Sequence, residues 1–316
     1  MILRILLRSV AVFVPVFLVA TFVTFALRAL SGLTPAHLQL GESATPETVA
    51  AIEREWGLDR PFLTQYGDWF AGVLRGDLGV SWYNGADIAG LLFEGAIVSL
   101  SVAGLALVIG VVLGFGLGVL AAVRRTTWVD RAITGAMTAV SVMPSFVVGI
   151  ALVAVFAVGL GWFPSAGYVP ADRDLGLWLA HITLPAVALS LDTVADVARQ
   201  LRAGLVAAYR ENYVTGAIVR GLGPRRIFFR HVLRNGMGPA LTVLGLKFPA
   251  LLGGAVVTES IFGMAGFGKF AADSAQRGDV PAVQGVLVVS VVLVVVFNLL
   301  VNVILARVTP ASARGV

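Results

Sequence analysis

Six long apolar stretches set the rhythm of this chain: Val10–Leu27, Ile97–Val123, Ala132–Leu160, Leu177–Val197, Ala240–Ile261 and Val280–Leu305. A bilayer core about 30 Å thick needs about 20 apolar helical residues to cross it. Each stretch is long enough or nearly so. Several are rich in β-branched residues, which suit strands, but their length and the need to satisfy every backbone group in lipid favour helix. The pattern predicts an all-α membrane protein with six transmembrane helices. Between the first two stretches, residues 29–96 read as water-soluble, with nine acids from Glu42 to Glu94. The pattern thus divides the chain into residues 1–28, 29–96 and 97–316, the last a five-helix core.

Within the spans, Gly110, Gly114 and Gly118 repeat every fourth residue and predict a face for close helix approach. Pro144 and Pro185 remove helical hydrogen bonds and predict kinks. Pro249 with Gly253 and Gly254 marks a flexible point in the fifth stretch, and Glu259 near its end either lines a path or caps the next turn. Pro144, Pro249, Gly253 and Glu259 are the candidate gate or path residues. Asp192 and Asp196 lie four apart on one helix face. With Arg199 a turn further they form an ion-pair cluster near the membrane surface, or else a proton relay of a secondary transporter.

Composition agrees. Hydrophobic residues make up 58% and charged residues 13% of the 316, against about 25% charged in soluble domains. The net charge of +5 does not point to nucleic acid, because the basic residues flank the apolar runs. One set of loops holds Arg4, Arg8, Arg124, Arg125 and Arg131, eight arginines from Arg199 to Arg234, and Arg307 and Arg314. The other set is about half as rich. Basic residues collect in cytoplasmic loops, so both termini are expected in the cytoplasm. Arg4 and Arg8 before the first stretch resemble a secretion signal, but the run is long and lacks a small-residue cleavage pattern, so an uncleaved helix is expected. There is no cysteine, and His37, His181 and His231 lie far apart, so no metal site is expected. Gly263–Phe270 has the spacing of a phosphate-binding loop. Phe270 stands where Ser or Thr would hold magnesium, and the segment follows an apolar helix instead of a strand. It is not expected to bind ATP.

The informative segment is the basic one at about 199–237. Arg202–Arg220 has helical spacing, Gly221 suits a left-handed helix end, and Pro224 suits the first turn of a second short helix bearing Ile227, Phe228 and Val232. A helix–glycine–helix elbow of this kind fits a partner's groove. Here Tyr213-Val214, Thr215, Ala217, Gly221-Leu222, His231, Leu233, Arg234 and Asn235 resemble the coupling loop of the permease subunits of bacterial dipeptide, oligopeptide and nickel ABC importers. Other stretches agree: Gly57–Pro61, Gly76–Gly79, Leu184–Ala186, Gly253–Glu259 and Val283–Gly285. Departures are Ser31–Pro35 after the first span, Glu211-Asn212 before Tyr213, Gly216 and Val219-Arg220 in the loop, and the acids Asp192 and Asp196 in a region that is usually apolar.

The resemblance implies a type I ABC importer-like permease with a cytoplasmic EAA-type loop in the bacterial inner membrane. It is no enzyme, and it forms half of a path for peptides or similar small solutes. Implied partners are a second permease, two P-loop ATPases that hold ATP and magnesium, and an external binding protein. Ala217 and Gly221 would shape the loop, and Tyr213, Thr215, Ile218, Leu222, Arg225 and Arg226 would touch the ATPase. The alternative is a proton-coupled secondary transporter built on Asp192, Asp196 or Glu259.

Overall fold

A computed structural model describes residues 2–31 and 44–308, together with Ala36, Leu40 and Gly41. Positions 32–35 and His37, and the side chains of Arg4, Arg8, Arg28, Arg307 and Arg314, lie outside the described residues. The described chain is helical, with one isolated antiparallel bridge between Val80 and Asp87. Among the described residues, four helices are long and apolar enough to cross a membrane: α4 (Ile88–Val123), α7 (Leu175–Tyr209), α11 (Gly238–Ile261) and the Val280–Val301 part of α13 (Val280–Val308). Helix α1 (Ile2–Ser31) contains a shorter apolar run, Phe13–Leu27.

The third expected span differs from its expectation. In place of one kinked helix over Ala132–Leu160 there are two, α5 (Trp128–Val142) and α6 (Ser145–Leu152), which with its π-helical continuation Val153–Gly159 turns through 98° from α5. The cause is local. Proline disfavours helical backbone in the residue before it, and Met143 is extended at φ −81°, ψ 122°. By contrast, α7 runs unbroken through Pro185 and α11 through Pro249.

The chain clusters into two compact units. One comprises Leu3–Val98 with Ala265–Val295, the other Ser99–Met264 with the chain from Val296. In the first unit, α2 (Pro46–Glu55) begins at a capping box on Thr45 and Thr48. Helix α3 (Phe62–Leu74) packs Phe62, Tyr66 and Trp69 against Phe22 and Phe25 of α1, with ring centroids 5.5–6.4 Å apart. Asp279, before α13, takes hydrogen bonds from the Ser81 hydroxyl at 2.5 Å and the Trp82 amide at 3.2 Å. Ile88, Leu92, Ala282 and Val286 form a core there with Phe267 of α12 (Phe267–Gln276). Residues 263–266 connect α11 to α12 and 267–270 are the first turn of α12, so the phosphate-loop lookalike follows a helix.

In the second unit the glycine repeat of α4 lies on α7. A Cβ added at Gly110 would stand 2.6 Å from Thr193 Cγ2, one at Gly114 2.8 Å from Val197, and one at Gly118 2.9 Å from the Ala198 carbonyl. Real side chains do not approach so closely, so glycine is what permits this packing. The side chains of Leu189, Val197 and Leu205 of α7 are buried, as are those of Leu244, Phe248 and Leu251 of α11.

Candidate functional site

The elbow grows out of the end of α7. That helix stops at Tyr209, and after Arg210 and Glu211 the chain turns into α8 (Asn212–Val219). The expected single helix over Arg202–Arg220 is therefore two. No glycine or proline breaks it. Packing does: Val214 and Ala217 of α8 fold back onto Leu205 and Ala208 of α7, in a cluster completed by Ile227 and Val232. Helix α8 ends as expected. Gly221 stands at φ +75°, its amide donates to the Ile218 carbonyl at 2.8 Å, and the Leu222 amide donates to the Ala217 carbonyl at 3.2 Å. These two bonds make a Schellman stop, which needs the left-handed residue that glycine supplies without strain.

Pro224 opens α9 (Pro224–Ile227), a π-helical turn follows over Phe228–Val232, and α10 (Leu233–Gly236) leads into α11. At the base of the elbow α10 crosses α7 so closely that a Cβ on Gly204 would lie 2.1 Å from the Gly236 carbonyl oxygen. Neither glycine belongs to a repeat or motif that would mark it in the sequence.

Of the expected coupling residues, the structure buries Ala217 completely and half-buries Tyr213 and Leu222. Burial pushes the Tyr213 phenol above its ordinary pKa. Thr215, Ile218, Gly221, Arg225 and Arg226 are exposed. Two further apolar side chains stand out of the elbow, Val219 at 82% exposed and Phe229 at 66%. The signal for Val219 was available, since it follows Ile218 directly on a short helix. The elbow therefore has a rigid apolar root and an outer surface of exposed aliphatic, aromatic and basic side chains.

The candidate gate residues are not gathered at one point. Pro144 sits at the α5–α6 break, Pro249 is half-buried within α11, and Gly253 is exposed with open space beside it. Glu259 is fully buried and accepts a short hydrogen bond from the Ser99 hydroxyl.

Asp192 and Asp196 do lie on one face, with an ion pair from Arg199 to Asp196. Their other partner comes from α11: Lys247 Nζ lies 2.5 Å from Asp192 Oδ2 and also bridges to Asp196. Lys247 is the lone basic residue of its apolar stretch, and such a residue requires a partner. Further along α7, Arg202 grips Asp130 of α5 through two hydrogen bonds of 2.5 and 2.7 Å. Among the described residues no group of three or more His, Asp or Glu could hold a metal ion.

Comparison with known proteins decides the family. Residues 114–314 match the family described as the inner membrane component of binding-protein-dependent transport systems, and residues 1–87 match the N-terminal domain of such membrane components. The chain belongs to this family. It is the membrane subunit of an ABC importer, a non-catalytic chain whose ATPase is separate. The proton-coupled alternative falls with that membership. Among the relatives, y4tP of Sinorhizobium fredii, named as a peptide ABC transporter permease, is 35% identical over 98% of this chain and 97% of its own. A peptide transport system permease of Brucella abortus is 38% identical over 95% of each chain. The glutathione permease GsiC of Escherichia coli is 32% identical over 93% of this chain and 94% of its own. The fold is that of solved permeases. The inward-facing MetNI methionine transporter aligns with TM-score 0.57 at 19% identity, covering 70% of this chain and 97% of that one. An amino acid ABC transporter aligns with TM-score 0.51 at 20% identity, covering 69% and 94%.

Proposed function

We propose that this permease forms one half of the path of an ATP-driven importer of peptides or glutathione-like solutes, and that its elbow is where the ATPase pushes. The elbow carries the reading. Its root is locked by the buried cluster and the Gly204–Gly236 crossing, so a force on α8 passes into α7 and α11. Its outer surface leaves Ile218 and Val219 uncovered, and exposed aliphatic side chains on a short rigid helix favour insertion into a groove. Arg225 and Arg226 would add electrostatic steering at the rim.

The rest of the assembly follows the relatives' names and the charge pattern. A second permease supplies the other half of the path, two P-loop ATPases carry ATP and magnesium, and an external binding protein engages residues 29–96. The chain lies in the bacterial inner membrane with both termini in the cytoplasm, in the domain scheme 1–28, 29–96 and 97–316. Pro144, Pro249, Gly253 and Glu259 belong to the moving part of the path.

The test is co-purification of the tagged permease in mild detergent. The wild type brings down P-loop ATPase subunits. Val219→Asp, which puts a charge where an apolar side chain docks, loses them while membrane abundance stays unchanged. Gly221→Asp strains the Schellman stop and uncouples ATP hydrolysis from uptake. ATPase retained in full by both variants, with normal uptake, would show that the elbow is not the docking site.

A further inference from the structure

The middle of helix α7 is largely enclosed. Among the described residues, Asp192 is the one exposed position between Ile182 and Ala198. Its side chain is 61% exposed, and it lies within the apolar stretch Leu177–Val197 of a helix that qualifies as a membrane span, toward the stretch's Val197 end. An ionised carboxylate within a span turns to the bundle interior or to water and away from lipid, where a charge is costly. It faces water or a polar partner. The neighbouring helix agrees. Thr242, Leu246, Ala250, Gly253, Val257 and Ser260 form the exposed stripe of α11. Four of the six, Thr242, Ala250, Gly253 and Ser260, are small or carry a hydroxyl, beside the larger Leu246 and Val257.

Building on the importer reading, we infer that Asp192 is a recognition residue in the translocation path and binds the cationic ammonium group of the transported solute. The arrangement of its neighbours makes such binding cheap. Lys247 Nζ holds Asp192 through Oδ2 alone, and among the described residues Asp192 Oδ1 accepts no hydrogen bond. Lys247 also pairs with Asp196 Oδ2, while Arg199 holds Asp196 Oδ1. When an ammonium group takes Asp192, Lys247 keeps its second carboxylate, so no charge is left buried and unpaired. A cation can thus enter and leave by exchanging with Lys247. Lys247, 13% exposed and flanked by two acids, is not open to a solute carboxylate in the same way.

The ammonium can be the amino terminus of a peptide or a lysine side chain, and the test separates the two. The complete importer, reconstituted in proteoliposomes with its binding protein, is assayed for ATP-dependent uptake of trialanine, N-acetyl-trialanine and N-acetyl-Ala-Lys-Ala. Asp192→Asn is expected to raise the half-saturating concentration of a cationic peptide about tenfold, as loss of one charge-assisted hydrogen bond does. N-acetyl-trialanine, which carries no cation, is expected to be unaffected. A loss confined to trialanine assigns the amino terminus, and one confined to N-acetyl-Ala-Lys-Ala assigns the side chain. Asp192→Glu keeps the carboxylate and is expected to recover most of the uptake, which sets recognition apart from a folding defect. Equal effects on all three peptides, or none on any, overturn the inference and leave the importer reading intact. A wild-type importer that takes up none of them removes the peptide reading and this inference with it.

Discussion

Arg202 and Asp130 meet through two near-parallel hydrogen bonds, and the carboxylate also accepts the Thr126 amide at 3.0 Å. The Asp130 side chain is 5% exposed, so its charge depends on that guanidinium. Asp130→Asn keeps the shape and removes the charge. It is expected to destabilise the permease by about 1–3 kcal/mol and to lower its thermal midpoint in detergent, and Asp130→Asn with Arg202→Met is expected to recover part of the loss. An unchanged midpoint for the single variant would show that the pair holds nothing. Neither partner had been singled out in the sequence, where Arg202 counted as a loop arginine and Asp130 stood beside Arg131. The two are 72 residues apart, and residue types alone do not record which distant charges meet. Lys247 teaches the same thing with a twist. The acids four apart were read with Arg199, and only the α7–α11 packing brings Lys247 to both of them.

At the scale of the helix, the periodic signals were legible. The glycines of α4 recur every fourth residue, and they meet Thr193, Val197 and Ala198 of α7 one after another. A Cβ at Gly114 would meet Val197 at 2.8 Å, whereas one at Gly116 meets nothing within 4 Å. Gly114→Val is therefore expected to cost about 1–3 kcal/mol through overpacking and to reduce the folded fraction on size-exclusion chromatography. Gly116→Ala, on the same helix, is expected to behave as wild type or slightly better, since alanine is the stronger helix former. Similar losses in both variants would show that the cost does not arise at the seam, and equal tolerance that the seam is not tight. The stop at Gly221 and the start at Pro224 were legible because their chemistry is local. The break at Arg210–Glu211 was not, because it depends on Val214 and Ala217 folding back onto α7. Pro144 was read as a kink, and the 98° turn exceeds a kink because Met143 leaves helical backbone altogether.

For the whole molecule, sidedness rests on the distribution of arginine. Fifteen basic residues fall in one set of loops and seven in the other, with Lys247 between, and such a bias orients helical membrane proteins. The scheme puts Thr215, on the elbow, in the cytoplasm and Leu63, between the first two spans, outside. Both side chains are exposed, and the chain has no cysteine, so a single introduced cysteine is the one thiol present. With a membrane-impermeant maleimide, Leu63→Cys is expected to label in intact spheroplasts and Thr215→Cys only in inverted vesicles. Labelling of both from the same side would overturn the topology, and labelling of Thr215→Cys in intact spheroplasts would overturn the coupling role of the elbow as well. The assignment carries a second consequence. If the elbow sits in an ATPase groove, Thr215→Cys in the assembled importer labels several times more slowly than in the isolated permease, and Leu63→Cys does not change. Protection at Leu63 instead, on adding the external binding protein, would identify the first unit as the face that receives the solute.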